Sequence, residues 1–135
     1  MNNENTKRII DACPSLFIDI EQQRENMQNG IMFTPIVFGF ECGDGWADLL
    51  VELCQKINTY LKTLSKEQVD DICALQVKEK FGTLRFYLSC QDDTIDKFIQ
   101  DAELKSSVTC ETCGEPGKVL GNRWLYCACA EHSRE

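Results

Sequence analysis

Histidine occurs once in this chain of 135 residues, and cations are scarce, with 14 Lys and Arg against 22 Asp and Glu. Long apolar runs are missing altogether. Each shortage excludes something. A nucleophile normally needs a base within reach, and the single imidazole, at His132, is the only one the chain can offer. The formal net charge of −8 opposes the nonspecific attraction to nucleic acid and to anionic membranes that clustered positive charge provides. Direct nucleic-acid binding is therefore disfavoured, and a protein or small-molecule partner is expected. No apolar run approaches the roughly 18 residues needed to cross a bilayer, and Met1 to Lys7 carry no apolar stretch of the secretory kind. The expectation is a soluble protein of the cytoplasm.

Cysteine, by contrast, is abundant, with nine in the chain. In a reducing compartment an odd number of thiols points to metal binding, not to a disulfide framework. Cys110-x-x-Cys113, fifteen residues, then Cys129-x-x-His132 is the spacing of a tetrahedral structural zinc site, two knuckles joined by a hairpin-length insert. Gly114 lets the first knuckle turn tightly. Cys127 competes with His132 for the fourth place, because Cys127-Ala-Cys129 also presents two sulfurs. Four free thiols in so small a hairpin would leave it too little core to fold without metal.

The remaining elements follow from periodicity. Residues 6 to 12 start a short helix that Pro14 interrupts. Glu21 to Asn29 reads as a linker or a surface helix, and Ile31 to Phe40, with Pro35 inside, as an edge strand or extended crossing segment. Trp46, Leu49, Leu50, Leu53, Cys54, Ile57, Tyr60, Leu61 and Leu64 recur at three- and four-residue steps, which predicts a helix over 45–64 with Asp44 as its N-cap and Asp48 in its first turn. Between Cys73 and Cys90 a hairpin turning at Gly82-Thr83 would place Cys73, Leu75, Val77, Phe81, Leu84, Phe86, Leu88 and Cys90 on an apolar face, with Glu79 intruding. Its other face carries Lys78, Lys80, Arg85 and Tyr87. A second helix is expected from Asp92 or Asp93 to about Lys105, and a Gly121-Asn122 turn between Lys118–Leu120 and Arg123–Leu125.

Candidate sites follow. Cys13, Cys54, Cys73 and Cys90 read as core thiols, whereas Cys42, just before a helix, could have a lowered pKa. Glu41, Asp44, Asp48 and Glu79 could form a magnesium site for phosphodiester hydrolysis, although the Glu-x-Lys spacing of such sites fails at Glu79-Lys80. Capping and salt bridging are the blander roles for the same acids. Lys80 facing Arg85 across the hairpin calls for a counter-anion. That anion is either internal, from Asp44, Asp48 or an acid of the N-terminal segment, or external, a partner's carboxylate or a ligand phosphate bound by Lys78, Lys80, Arg85 and Tyr87 near Asp44 and Trp46.

Three blocks, Phe38-Gly-Phe-Glu-Cys-Gly-Asp-Gly-Trp46, Gln76-Val-Lys-Glu-Lys-Phe-Gly-Thr-Leu-Arg-Phe-Tyr87 and Thr109-Cys-Glu-Thr-Cys-Gly114, occur here in order, and the chain closes on Cys129-Ala-Glu-His132. In this the chain resembles a family of small proteins carried mainly by phage and prophage genomes, over about residues 38–132. The resemblance implies Cys129 and His132 as the last two ligands, although this chain departs from the family in its extra Cys127. It implies no known chemistry. The expected architecture is α+β, with an antiparallel hairpin sheet packed on the long helix over residues 1–107 and a zinc ribbon over 108–135. The expected role is non-enzymatic: an accessory protein of the host cytoplasm that binds a host protein complex and inhibits a host defence. Sequestration of a nucleotide or similar anion is the alternative, and metal-dependent hydrolysis a further one.

Overall fold

A computed structural model covers residues 1–135. It is α+β: five α-helices, a three-stranded sheet and a separate two-stranded one. Helix α1 (Asn3–Ala12) is capped by the Asn2 side chain, which accepts from the Asn5 amide at 2.8 Å, and it ends where Pro14 opens a 3-10 turn. The polar stretch that follows is a surface helix, α2 (Ile20–Gln28), with no buried residue. The expected strand at Ile31–Phe40 shrinks to β1 (Phe40–Glu41), because Pro35 starts a 3-10 turn over Pro35–Phe38 instead.

The long helix is α3 (Ala47–Leu61), preceded by a 3-10 turn at Asp44–Trp46. Its stripe is buried as the periodicity requires, with Leu50, Cys54 and Ile57 fully enclosed. Asp44 is not its N-cap, since Trp46 stands in that position and makes no side-chain cap bond. A short helix, α4 (Lys66–Asp70), follows with a Ser65/Gln68 capping box. Strands β2 (Ala74–Lys80) and β3 (Thr83–Leu88) form the hairpin. Helix α5 (Asp93–Ser106) buries Ile95, Ile99, Ala102 and Ser106 at four-, three- and four-residue steps. The Asp92 side chain caps α5 through the Thr94 and Ile95 amides and accepts from the Tyr60 hydroxyl at 2.8 Å, which ties the start of α5 to the end of α3. Strands β4 (Lys118–Leu120) and β5 (Tyr126–Ala128) close the chain, so the expected strand at Arg123–Leu125 lies instead within their connecting loop.

Helix α3 lies between α1 and α5, and α5 packs on β3. The sheet is mixed, not purely antiparallel. Its order is β1-β2-β3, with β1 parallel to β2 and β2 antiparallel to β3. The hairpin turns at Phe81-Gly82, so Lys80 pairs with Thr83 and Lys78 with Arg85. This register differs by two residues from the one expected. A slip of two preserves the faces, whereas a slip of one would have turned every side chain over. Val77, Leu84 and Phe86 therefore still enter the core, and the cations still point away from it. A bulge between Ala74 and Gln76 buries Ala74 in place of Leu75, and Cys90 is exposed, not core.

Both turn residues have positive φ, 56° at Phe81 and 83° at Gly82, as a type I′ turn requires. Gly82 adopts this without strain and donates its N–H to the Glu79 carboxylate at 2.7 Å, which explains an acid on the core face. Phe81 does not. A bulky side chain in the left-handed region costs about 1–2 kcal/mol, and its ring, 64% exposed, recovers little of that by burial. Phe81→Asn, which supplies the preferred Asn-Gly turn, should raise the stability of the fold by about 0.5–1 kcal/mol, read as an upward shift of the urea midpoint at unchanged m-value.

Candidate metal centre

The donor atoms of Cys110, Cys113, Cys129 and His132 all lie within 4.8 Å of one another, so these four residues could hold a metal ion. Cys113 Sγ stands 3.7 Å from Cys129 Sγ, and His132 Nδ1 is 3.2 Å from Cys129 Sγ and 3.7 Å from Cys110 Sγ. The local fold explains the convergence. Cys110 and Cys113 sit on a tight turn in which the Gly114 amide donates to the Cys110 carbonyl at 2.9 Å, with Gly114 at φ 83°. His132 is carried to the cluster by a 3-10 turn at Ala130–His132, directly after Cys129.

Cys127 lies outside the cluster. It is buried and belongs to the main hydrophobic core, whereas Tyr126 and Ala128 on either side of it pack with Cys110 in a small satellite core. Alternation along β5 thus sends one face to the body and the other to the knuckle. Burial also pushes the Cys127 thiol up in pKa, as expected of a thiol packed in the core.

Within the cluster the thiols differ. Burial raises Cys110, but N–H groups of Cys113, Cys129 and Thr112 outweigh it and bring its pKa down to about 6. Cys113 accepts a lowering bond from the Glu115 backbone, yet desolvation and the neighbouring sulfurs hold it up at about 11. The bond from His132 lowers Cys129 and in turn raises His132. Without a cation Cys113 therefore retains a proton that a metal must displace.

The knuckle is seated on the body through residues 43–46, the segment that leads into α3. Gly45 N donates to Glu111 O at 2.8 Å, Gly43 N donates to the Glu111 carboxylate at 2.8 Å, and Trp46 Nε1 donates to Thr109 O at 2.8 Å. A Cβ on Gly45 would stand 2.2 Å from Cys110 O and 2.6 Å from Gly114 N, and one on Gly43 would stand 2.3 Å from Glu111 O. The Gly-Asp-Gly run is thus a landing surface for another stretch of backbone.

The other candidate residues disperse. Trp46 is fully buried with its indole N–H bonded, so it cannot face a ligand beside the cations. Asp44 accepts from the Asn2 amide at 2.8 Å and the Asn5 side chain at 3.1 Å, contacts that hold its carboxyl below the usual range, and Asp48 pairs with Arg8 at 2.8 Å. Glu41 accepts from Gln76 and Glu79 from Gly82. Each of the four acids is engaged with partners of its own, and none belongs to the one metal-capable group. Cys42 is buried, and burial together with Glu111 pushes its thiol up to about 12, the reverse of the activation a helix start could have given. Neither Asp44 nor Asp48 neutralises the hairpin cations. Lys78, Lys80 and Arg85 take part in none of the five ion pairs. Arg85 donates to Thr83 Oγ1 at 2.6 Å and to Leu84 O at 3.0 Å, Lys80 stands over the Phe81 ring, and Tyr87 is exposed on the same sheet face.

Replacement of Cys110, Cys113 or Cys129 by Ser, or of His132 by Ala, should abolish stoichiometric metal binding, while Cys127→Ala should retain one equivalent, as measured by metal analysis after desalting. Because Cys113 is protonated at neutral pH in the metal-free protein and must be deprotonated in the complex, metal affinity should rise with pH between about 6 and 8, with proton release detectable by calorimetry in two buffers. Gly45→Ala should cost about 3 kcal/mol, since both sides of the collision are backbone, and a urea titration of metal-loaded protein measures it. Comparison with family models, with curated proteins and with solved structures yields no match to this chain.

Proposed function

We propose that the chain is a non-enzymatic binding protein whose C-terminal module is a zinc ribbon, and that its target is a host protein complex. Inhibition of a host defence is the role that the likeness to phage proteins favours. The zinc assignment is supported by edge lengths. Tetrahedral zinc with Zn–S near 2.3 Å and Zn–N near 2.0 Å sets S···S and S···N separations of about 3.5–3.8 Å. Two of the donor separations, both 3.7 Å, fall in that range, a third is 3.2 Å, and all lie within 4.8 Å, so small shifts would close the shell. When bound, zinc would close a shell of four protein ligands with no position for water, which is a structural and not a catalytic arrangement. The dispersed acids and the high pKa of Cys42 support a role without catalysis.

The observation that carries the protein-binding reading is the exposed apolar segment that leads into β1. Met32 is 91% exposed, Phe38 60% and Ile31 56%, and Phe33 and Phe38 meet edge to face at 6.1 Å. Met and aromatic residues crowded at the surface mark interfaces more often than solvated faces. A Met32→Asp/Phe38→Asp variant should remain folded and metal-loaded yet lose a host protein that crosslinks to the wild type in the native host. Equal crosslinking of variant and wild type would sink this reading. A second reading, capture of a nucleotide or similar anion, is favoured by the three hairpin cations, none of which forms an ion pair.

A further inference from the structure

The tips of the two hairpins meet. A Cβ on Gly82 would stand 2.9 Å from Val119 Cγ1 and 3.4 Å from the Tyr126 backbone, so the β2–β3 turn abuts the β4–β5 hairpin. Between the tips lies a cavity of about 330 Å³ lined by Glu79, Lys80, Phe81, Arg123, Trp124 and Leu125. From this cleft we infer that the protein binds a nucleoside phosphate, with the base against Phe81 and Trp124 and the phosphates on Lys80 and Arg123. The inference rests on the anion-binding reading through Lys80, and it moves the ligand from the open sheet face to the cleft.

Three observations converge. The first is aromatic exposure, with Trp124 75% and Phe81 64% exposed, one ring from each tip and neither stacked on another ring. Such rings offer π-faces to a base. The second is charge. On a chain of net charge −8 an anion is favoured where cations outnumber acids locally. Here Lys80 and Arg123 face one acid, Glu79, whose carboxylate already accepts from the Gly82 amide, and neither cation is in an ion pair. The third is strain, since a phenylalanine is held at φ 56° in the turn with its ring in solvent. Apart from Lys80 standing over its ring at 5.4 Å, Phe81 gives the fold little that Asn would not supply, which is the pattern of a residue retained for contact. The volume is at the lower end of the range for small-molecule sites and fits a mononucleotide better than a larger cofactor.

Calorimetric titration of the metal-loaded protein with ATP, adenosine, tripolyphosphate and a short oligo-dT tests this. Saturable ATP binding is expected, weakened about tenfold or more in Trp124→Ala and in Arg123→Ala, with adenosine and tripolyphosphate each weaker than ATP by a similar factor. Phe81→Asn should lower ATP affinity while raising thermal stability, a divergence that a purely structural residue would not give. Tripolyphosphate binding as tightly as ATP, lost in Lys78→Ala/Arg85→Ala but kept in Trp124→Ala, would overturn the cleft and leave the sheet-face anion site standing. No binding of any probe would remove both readings. Oligo-dT binding more tightly than ATP, with a steep salt dependence, would overturn the mononucleotide in favour of a single strand.

Discussion

The close approach of two backbones, at Gly43–Gly45 and Cys110–Glu111, is the constraint on which the rest of the molecule depends. It holds the metal-capable cluster against the N-terminal end of α3, and it draws Trp46 into the core by giving its indole N–H the Thr109 carbonyl. The same contact sets how far β5 can reach into the body. Cys127 then fills a place in the main core that no residue of the first hundred supplies. The two parts of the chain are therefore distinct in sequence and share one packing problem.

Charge is arranged on a similar principle. The acids near α1 and α3 are tied to the chain's own donors: Asp44 to the α1 N-terminus, Asp48 to Arg8, and Glu52 to Lys56 and Lys105. The hairpin cations are left without such partners, and Lys78 and Arg85 even stand directly opposite each other. Like charges so placed weaken a hairpin by a few tenths of a kcal/mol. The sheet tolerates this because its other face, with Val77, Leu84 and Phe86, is fully engaged in the core.

Much of this was legible in the residues. The apolar stripe of α3, the Asp92 start of α5 and the two hairpin faces follow from periods of 3.6 and 2, and burial enforces those periods. The exact hairpin register was not legible, because a two-residue slip leaves the face pattern intact and Phe81 is an improbable residue for the left-handed position it takes. The four donors could be read from spacing, but the exclusion of Cys127 depends on which face of β5 meets the body, a tertiary fact. Helix α4 has a signal in Ser65-x-x-Gln68, but no apolar stripe follows it to set it apart from a turn. The Gly-Asp-Gly run looked like punctuation before a helix. Its second purpose, room for a distant peptide, leaves no local trace in sequence.

The two-faced strand β5 has a cellular consequence. Tyr126 and Ala128 belong to the knuckle's small core and Cys127 to the large one, so an event that loosens the knuckle opens a hole in the body at the same moment. If the cluster holds a metal in the cell, its withdrawal would then do more than release a floppy tail. It would expose apolar segments of the whole chain to cellular proteases, and the protein's lifetime in a cell would follow the supply of that ion.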